Sequence, residues 1–339
     1  RSKTTRSNRM SPRPQLPEAP DGSLIDDRWQ IGVYRTPFAQ VDMSVRGWKR
    51  YRLKEWHYLS FTTDEWFVAV GLVQLGYVAN LFSYAVDRVQ RRPAVEYGAL
   101  SPMGAALSVA QSSARGTTSW KSKSASVSIA ARNGWDVDLD LPLGGERLRG
   151  HARLEAADSL AMLHRLGPSR VAYTHKAAGW PASGYLELGT RPIRLDGGVG
   201  ASDWTRSQAS RVTEWKWASV SGFIRDGAAF GLNLSAQVYD DDRGHSVENA
   251  YWLDGQVRPL SGVRFEVPSD PKSGRWTIRS IDSNEVDIEF EPLGAREEHT
   301  NFGLVRTDFV QPYGRFAGRV CEHDVTSCFG VVETHLSIW

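Results

Sequence analysis

One stretch constrains the fold more than any other: Arg211-Val212-Thr213-Glu214-Trp215-Lys216-Trp217-Ala218-Ser219-Val220-Ser221-Gly222. Read with the two-residue period of a strand, it splits into two faces. Arg211, Thr213, Trp215, Trp217, Ser219 and Ser221 share one face, and Val212, Glu214, Lys216, Ala218 and Val220 share the other. The first face mixes two indoles with a guanidinium and hydroxyls. That mixture suits a barrel wall turned toward a ligand cavity, where apolar bulk meets a few placed polar groups. A plain aromatic core strand with serines at its tapering end accounts for the same letters equally well.

An earlier stretch echoes this one. Glu55-Trp56-His57-Tyr58 resembles Glu214-Trp215-Lys216-Trp217, with Trp56 and Trp215 standing 159 positions apart. Each is followed by a turn with an acidic residue, then by an apolar strand with a central glycine, Gly71 in the first and Gly231 in the second. An offset near half the chain points to a duplicated β unit, one copy in each half.

At 339 residues the chain is long enough for two domains. Thirteen Trp and 31 Gly fit β structure with tight turns and aromatic-lined interiors. The net charge of +2 is uneven. Residues 1–13 hold Arg1, Lys3, Arg6, Arg9 and Arg13 and no acid, which leaves 36 basic against 39 acidic residues in the body. A body of net −3 is no platform for nucleic acid. The basic lead has no apolar h-region and reads as disordered, so a cytoplasmic location is expected. No stretch reaches the roughly 18 apolar residues of a membrane helix. Cys321 and Cys328 flank a six-residue turn and read as two reduced thiols, with no standard zinc spacing.

Along the chain, residues 1–30 read as a basic, Pro-rich lead. Val127, Ile129 and Ala131 alternate with polar or small residues, Asn133-Gly134 follows, and Val137, Leu139 and Leu141 alternate with aspartates. Asn-Gly between alternating runs predicts a hairpin. Leu154–Leu166 has helical spacing and predicts a short helix ending at Gly167-Pro168. Gly197-Gly198-Val199-Gly200 reads as part of a linker over 197–202, between a first barrel at 31–196 and a second at 203–339. Val286, Ile288 and Phe290 alternate with acids, as in a half-buried strand. Many short strands between turns argue for an all-β chain of barrels or sandwiches.

Several segments together carry a family resemblance. They are Asp203-Trp204-Thr205-Arg206, Glu214 to Ala218, Glu248-Asn249-Ala250-Tyr251-Trp252, Trp276 to Ser280, Asn301-Phe302-Gly303, Gln311 to Phe316 and Gly330 to His335. Lys54 to Tyr58 and Tyr173-Thr174-His175-Lys176 join them from the first half. In this order they resemble the family called domain of unknown function 2804, over about residues 45–339. That family is more remotely similar to tandem lipocalin-like proteins of the carotenoid hydratase type, the hydroxyneurosporene synthase and AttH-like group. The resemblance implies two tandem lipocalin-like (calycin-like) antiparallel β-barrels with few short helices. It also implies hydration or cyclisation of apolar isoprenoid or polyketide substrates.

Candidate residues follow from charge and strand parity. Glu333 and His335 share one strand face and could form an acid/base pair, with Glu214 a further acid. Trp56, Trp215 and Trp217 are candidate walls able to face a developing cation. Gln311, Tyr313 and Arg315 form a hydrogen-bonding row, Asn249 and Asn301 could add polar contacts, and Arg211 and Arg296 could meet an anion. No Gly-x-Ser-x-Gly elbow, zinc helix, phosphate loop or dinucleotide fingerprint is present. The expectation is a protein without metal or cofactor that encloses an apolar or amphipathic small molecule, as a binder or as a hydratase, isomerase or cyclase. A carbohydrate-active protein with Trp platforms and paired carboxylates is the alternative, and a structural or interaction module is a second.

Overall fold

The computed structural model describes residues 14–339, apart from 44, 46, 91, 302 and 304. The basic lead at 1–13 and Phe302 of the Asn301-Phe302-Gly303 motif therefore lie outside the described residues. Among the described residues the one helical element is a 3-10 turn, Gly47–Arg52; the rest of the regular structure is strand.

The strands form two large antiparallel sheets, each curled into a barrel around its own core. The order of strands is the same in both. In the first sheet, Val95–Pro102, Val78–Asp87, Trp66–Gln74 and Leu53–Thr62 lead to Gly198–Gln208, then Arg170–Leu188, Glu146–Glu155, Gly134–Leu143 and Ser126–Ala131. In the second, Gln256–Pro259, Ala250–Leu253, Ala229–Ala236 and Val212–Phe223 lead to His323–Ile338, then Arg306–Val320, Val286–Asn301, Trp276–Ser280 and Val263–Glu266. Each repeat thus pairs its first long strand with its last. The duplication suggested by the Trp-containing echo extends through nine successive strands. The first sheet continues into two further short strands, Gly116–Lys121 and Leu107–Ser108.

Two local expectations are corrected. The Leu154–Leu166 helix is absent: Glu146–Glu155 and Leu160–Gly167 are strands, because Leu160, Ala161, Met162 and Leu163 are all buried by neighbours on both sides. The segment read as a linker at 197–202 is mostly strand. Gly198–Gln208 closes the first sheet, since a backbone this glycine-rich lets Leu154 and the Ser60 carbonyl approach Gly200 directly. The Asn133-Gly134 hairpin is present, with Ala131 paired to Trp135 across the turn and both turn residues at positive φ (53° and 113°).

The barrels meet back to back. Ala178-Gly179 of the first lies so close to Phe230-Gly231 of the second that a Cβ on Gly231 would sit 2.1 Å from the Ala178 carbonyl carbon. Gly179 N donates to Ser221 Oγ across this contact (3.1 Å). An aromatic layer extends the seam: Tyr58, Phe67, Phe82 and Tyr84 of the first barrel pack with Trp217, Tyr313, Phe329 and Val331 of the second. Trp180 and Trp252, one from each barrel, both donate to the Asp158 carbonyl (2.9 and 2.6 Å).

Candidate functional site between the barrels

The strand faces decide where the site lies. In Leu53–Thr62, Leu59 and Phe61 enter the first barrel's core, so Trp56 and Tyr58 point out of it. In Val212–Phe223, Ala218 and Val220 enter the second core, so Trp215 and Trp217 also point outward. The expectation of a barrel lumen lined by these indoles is thereby corrected. The period-two reading of the strand holds, but its mixed face is covered by the other barrel. The cavity, about 130 Å³, lies between the two barrels. Trp56 and Trp215 stack across it with ring centres 6.1 Å apart and planes 14° apart, and Tyr58 meets Trp217 edge-on at 5.5 Å.

Strand register then builds the polar part twice. Asp203 lies opposite Tyr58, and Lys176 lies opposite Asp203 on the next strand. Glu333 lies opposite Trp217, and the pairing of Val310 with Thr334 sets Gln311 level with Glu333. The hydrogen bonds repeat with the register. Trp56 Nε1 donates to Asp203 Oδ2 (3.0 Å), as Trp215 Nε1 donates to Glu333 Oε1 (2.7 Å). Lys176 Nζ donates to Asp203 Oδ2 (2.6 Å), as Gln311 Nε2 donates to Glu333 Oε2 (2.9 Å). Each barrel therefore offers a buried carboxylate, held by an indole and by one long side chain.

One long connection breaks the symmetry. Trp66–Gln74 passes to Val78–Asp87 in a tight turn, whereas the equivalent link in the second barrel runs from 237 to 249. It seats Tyr239 against Met162 and Ala172 of the first barrel and brings Glu248 Oε1 to 3.1 Å from Lys176 Nζ. Burial raises the Glu248 carboxyl above the ordinary range, although Lys176 pulls the other way. Burial also works against the Lys176 charge, but Asp203 and Glu248 together hold it above the usual lysine value. Burial pushes the Tyr58 phenol up, and Glu333 and Asp203 add to the shift. Thr205 Oγ1 donates to Asp203 Oδ1 (2.9 Å), and Tyr84 donates to Gln311 Oε1 (2.9 Å).

The sequence candidates divide accordingly. Trp56, Trp215, Trp217, Gln311, Glu333 and His335 all line the cavity. His335 packs against Trp215 (4.0 Å between ring centres, planes tilted by 50°), shares a hydrogen bond with Ser337 Oγ (2.7 Å) and has Nδ1 3.6 Å from Glu333. Arg296 stands behind the wall, over the rings of Phe82 and Phe309, paired with Glu298 at 3.0 Å. The Gln311, Tyr313, Arg315 row runs from the cavity, through the packed seam at Tyr313, to solvent at Arg315. Asn249 is buried in its own loop, accepting from Ser235 N and donating to the Ser246 and Ser261 carbonyls. Glu214 is exposed on the opposite strand face beside Lys216. Arg211 is exposed and donates to the Trp339 carbonyl, and exposed Asn301 accepts from Gly303 N. Lys176, Asp203 and Glu248 were not singled out. Lys176 shares a strand face with Ala172 and Thr174, and a buried ammonium there demands carboxylates nearby.

No disulfide joins Cys321 and Cys328. Among the described residues no three His, Cys, Asp or Glu side chains come together as a metal-binding group. A second hollow, about 570 Å³, opens at the mouth of the first barrel. There Arg206 is met by Glu55 at 2.8 Å and donates to Gln111.

Comparison with known proteins places the molecule. The family profile described as domain of unknown function (DUF2804) matches residues 14–339. The chain belongs to the DUF2804 family. No curated protein matches it in sequence. In structure, this DUF2804 protein is similar to the AttH candidate of Nitrosomonas europaea, at 12% identity and a TM-score of 0.50, covering 87% of this chain and 98% of that one. It is also similar to CghA crystallised with Sch210972 (12%, TM-score 0.49, 84% and 88% covered). Kievitone hydratase from Nectria haematococca gives 13%, a TM-score of 0.48, and 95% and 97% covered. The DUF2804 chain thus has the two-barrel, lipocalin-like architecture.

Proposed function

We propose that the protein encloses an apolar or amphipathic small molecule between its barrels and acts on it as a cofactor-free hydratase or cyclase. The observation that carries this is the burial of one ammonium and three carboxylates (Lys176, Asp203, Glu248 and Glu333) around a single aromatic-walled cavity. Burying such groups costs free energy, and clusters of this kind are characteristic of working sites. Glu248 is the proton donor: burial raises its carboxyl above the usual range, and Lys176 fixes its position. Its proton passes to an alkene carbon, and the resulting positive charge lies against the faces of Trp56, Trp215 and Trp217. In a hydration, water adds to the neighbouring, cationic carbon, its released proton goes to His335, and solvent returns a proton to Glu248. In a cyclisation, a second double bond attacks the cationic carbon instead, and the new cation loses a proton to His335.

The carbohydrate reading calls for indoles exposed along an open groove, and no described tryptophan is exposed. Native mass spectrometry of protein purified from its own host tests the main reading. The expected result is a co-purifying isoprenoid, polyketide or lipid; the extracted ligand, incubated with the protein in heavy-oxygen water, gains labelled water or isomerises, and Glu248→Gln does neither. Repeated recovery of empty protein, or of bound oligosaccharide, overturns it.

A further inference from the structure

The two half-sites are built to one plan but differ in charge. In the first, Lys176 neutralises Asp203; in the second, the equivalent position holds the neutral amide of Gln311, and Glu333 has no cation at hydrogen-bond distance. Both Glu333 oxygens are nevertheless fixed, by Trp215 and by Gln311. Formally, one ammonium faces three carboxylates in the cavity. The other nearby cations are screened by its walls. Arg296 lies behind Phe82 and Phe309 and is paired with Glu298, and Lys54 lies behind the Trp339 ring at 5.0 Å, donating to the Tyr51 and Leu75 carbonyls. The His335 imidazole stands 3.6 Å from Glu333, but no permanent cation does; a buried, hydrogen-bonded carboxylate of this kind beside indole faces is the chemistry that recognises a cation.

We propose that the natural ligand carries a positive charge, as an amine or quaternary ammonium amphiphile, whose head sits at Glu333 between the Trp215 and Trp217 rings while its apolar body extends toward Glu248. This deepens the reading of the cavity as the ligand site and rests on it. It also assigns specificity to Gln311, since a lysine there would supply the missing charge as Lys176 does in the twin half-site.

A six-carbon series separates charge from apolar binding: hexylamine, 1-hexanol and hexanoate, titrated at pH 7 against wild type, Gln311→Lys and Glu333→Gln. Binding is read by quenching of tryptophan fluorescence, at low and at 0.5 M salt. Wild type should bind hexylammonium at least about tenfold more tightly than 1-hexanol, as expected for a desolvated cation beside indoles and a carboxylate, and hexanoate least. The preference should survive high salt, because a buried pair is screened far less than surface charge. Both variants should lose the preference while still binding 1-hexanol, which also shows that they are folded. Equal binding of hexylammonium and 1-hexanol by wild type overturns the charge assignment and leaves the cavity as a ligand site. A preference unchanged in Gln311→Lys and Glu333→Gln overturns it too. Failure of all three probes to bind overturns the cavity reading itself.

Discussion

Replacing Lys176 by Met tests the buried charge cluster on which the site is built. The side chains of Lys176, Asp203 and Glu248 are 5%, 8% and 3% exposed, so little solvent screens them. Methionine fills much of the lysine volume but leaves two carboxylates buried without a cation. Breaking a buried pair from one side costs about 3–5 kcal/mol, which at this chain size lowers the unfolding temperature by about 4–7 °C. The pH dependence distinguishes this from a packing defect. Lys176 has a raised pKa, so its contribution is complete below the ordinary value of 10.5 and fades only as pH rises through its folded value. Across pH 5–8 the wild-type lysine contribution is therefore flat. In the variant the Glu248 carboxyl rises further, because the Lys176 charge that pulled it down is gone. Groups with raised folded pKa values favour folding at low pH and lose that advantage as pH rises through them. The variant should be closest to wild type near pH 5 and fall away toward pH 8. Thermal unfolding followed by near-UV circular dichroism at four pH values measures this. Parallel profiles for the two proteins, or an unchanged unfolding temperature at pH 7, would refute the reasoning.

Other outcomes are expected from the same structure. Burial lowers His57 and His175 to about 3, so their ring carbon NMR signals should stay constant from pH 8 to 5. Because both remain neutral when folded, their contribution is present above 6.5 and is lost as pH falls toward 3; imidazole signals moving near pH 6.5 would contradict their placement. Gly231→Ala should destabilise by about 1–3 kcal/mol in a denaturant titration, since its Cβ would meet backbone at 2.1 Å. Gly98→Ala, where a Cβ meets nothing within 4 Å, should not destabilise, and equal effects would argue against the close inter-barrel contact. Burial pushes the Cys328 thiol up to about 12, so at pH 8 a disulfide reagent should modify Cys321 in the native protein and Cys328 only after unfolding. Two fast-reacting thiols would show Cys328 to be accessible.

Much of this architecture could be read from the chain. Alternation at Val127–Leu141 and Val286–Glu291 marked real strands, and Asn133-Gly134 marked a real turn, because those signals are local. The Trp56/Trp215 echo reflected a true repeat, since both tryptophans hold the same station in matching sheets. Leu154–Leu166 misled because a strand buried on both faces has no alternation and its leucines also suit a helical period. The cavity wall was legible on the second-barrel strands, where Trp215, Trp217, Gln311, Glu333 and His335 share faces. Strand parity says which residues go together, but not whether a face looks into its own barrel or toward a neighbour. That depends on packing between barrels, and for the same reason Lys176, Asp203 and Glu248 stayed out of view. Strand pairing sets Lys176 beside Asp203 within the first barrel, but Glu248 joins them only once the second barrel's loop has docked.

The central claim is that a small molecule is held between the barrels, against the paired Trp56 and Trp215 rings. A crystal structure of the protein purified from its own host, with the retained ligand, tests this most directly. The account predicts density for the molecule bounded by Trp56, Trp215 and Trp217, with one end at Glu333. Density confined to the lumen of either barrel, or a cavity closed by its own side chains while the ligand sits elsewhere, would contradict it.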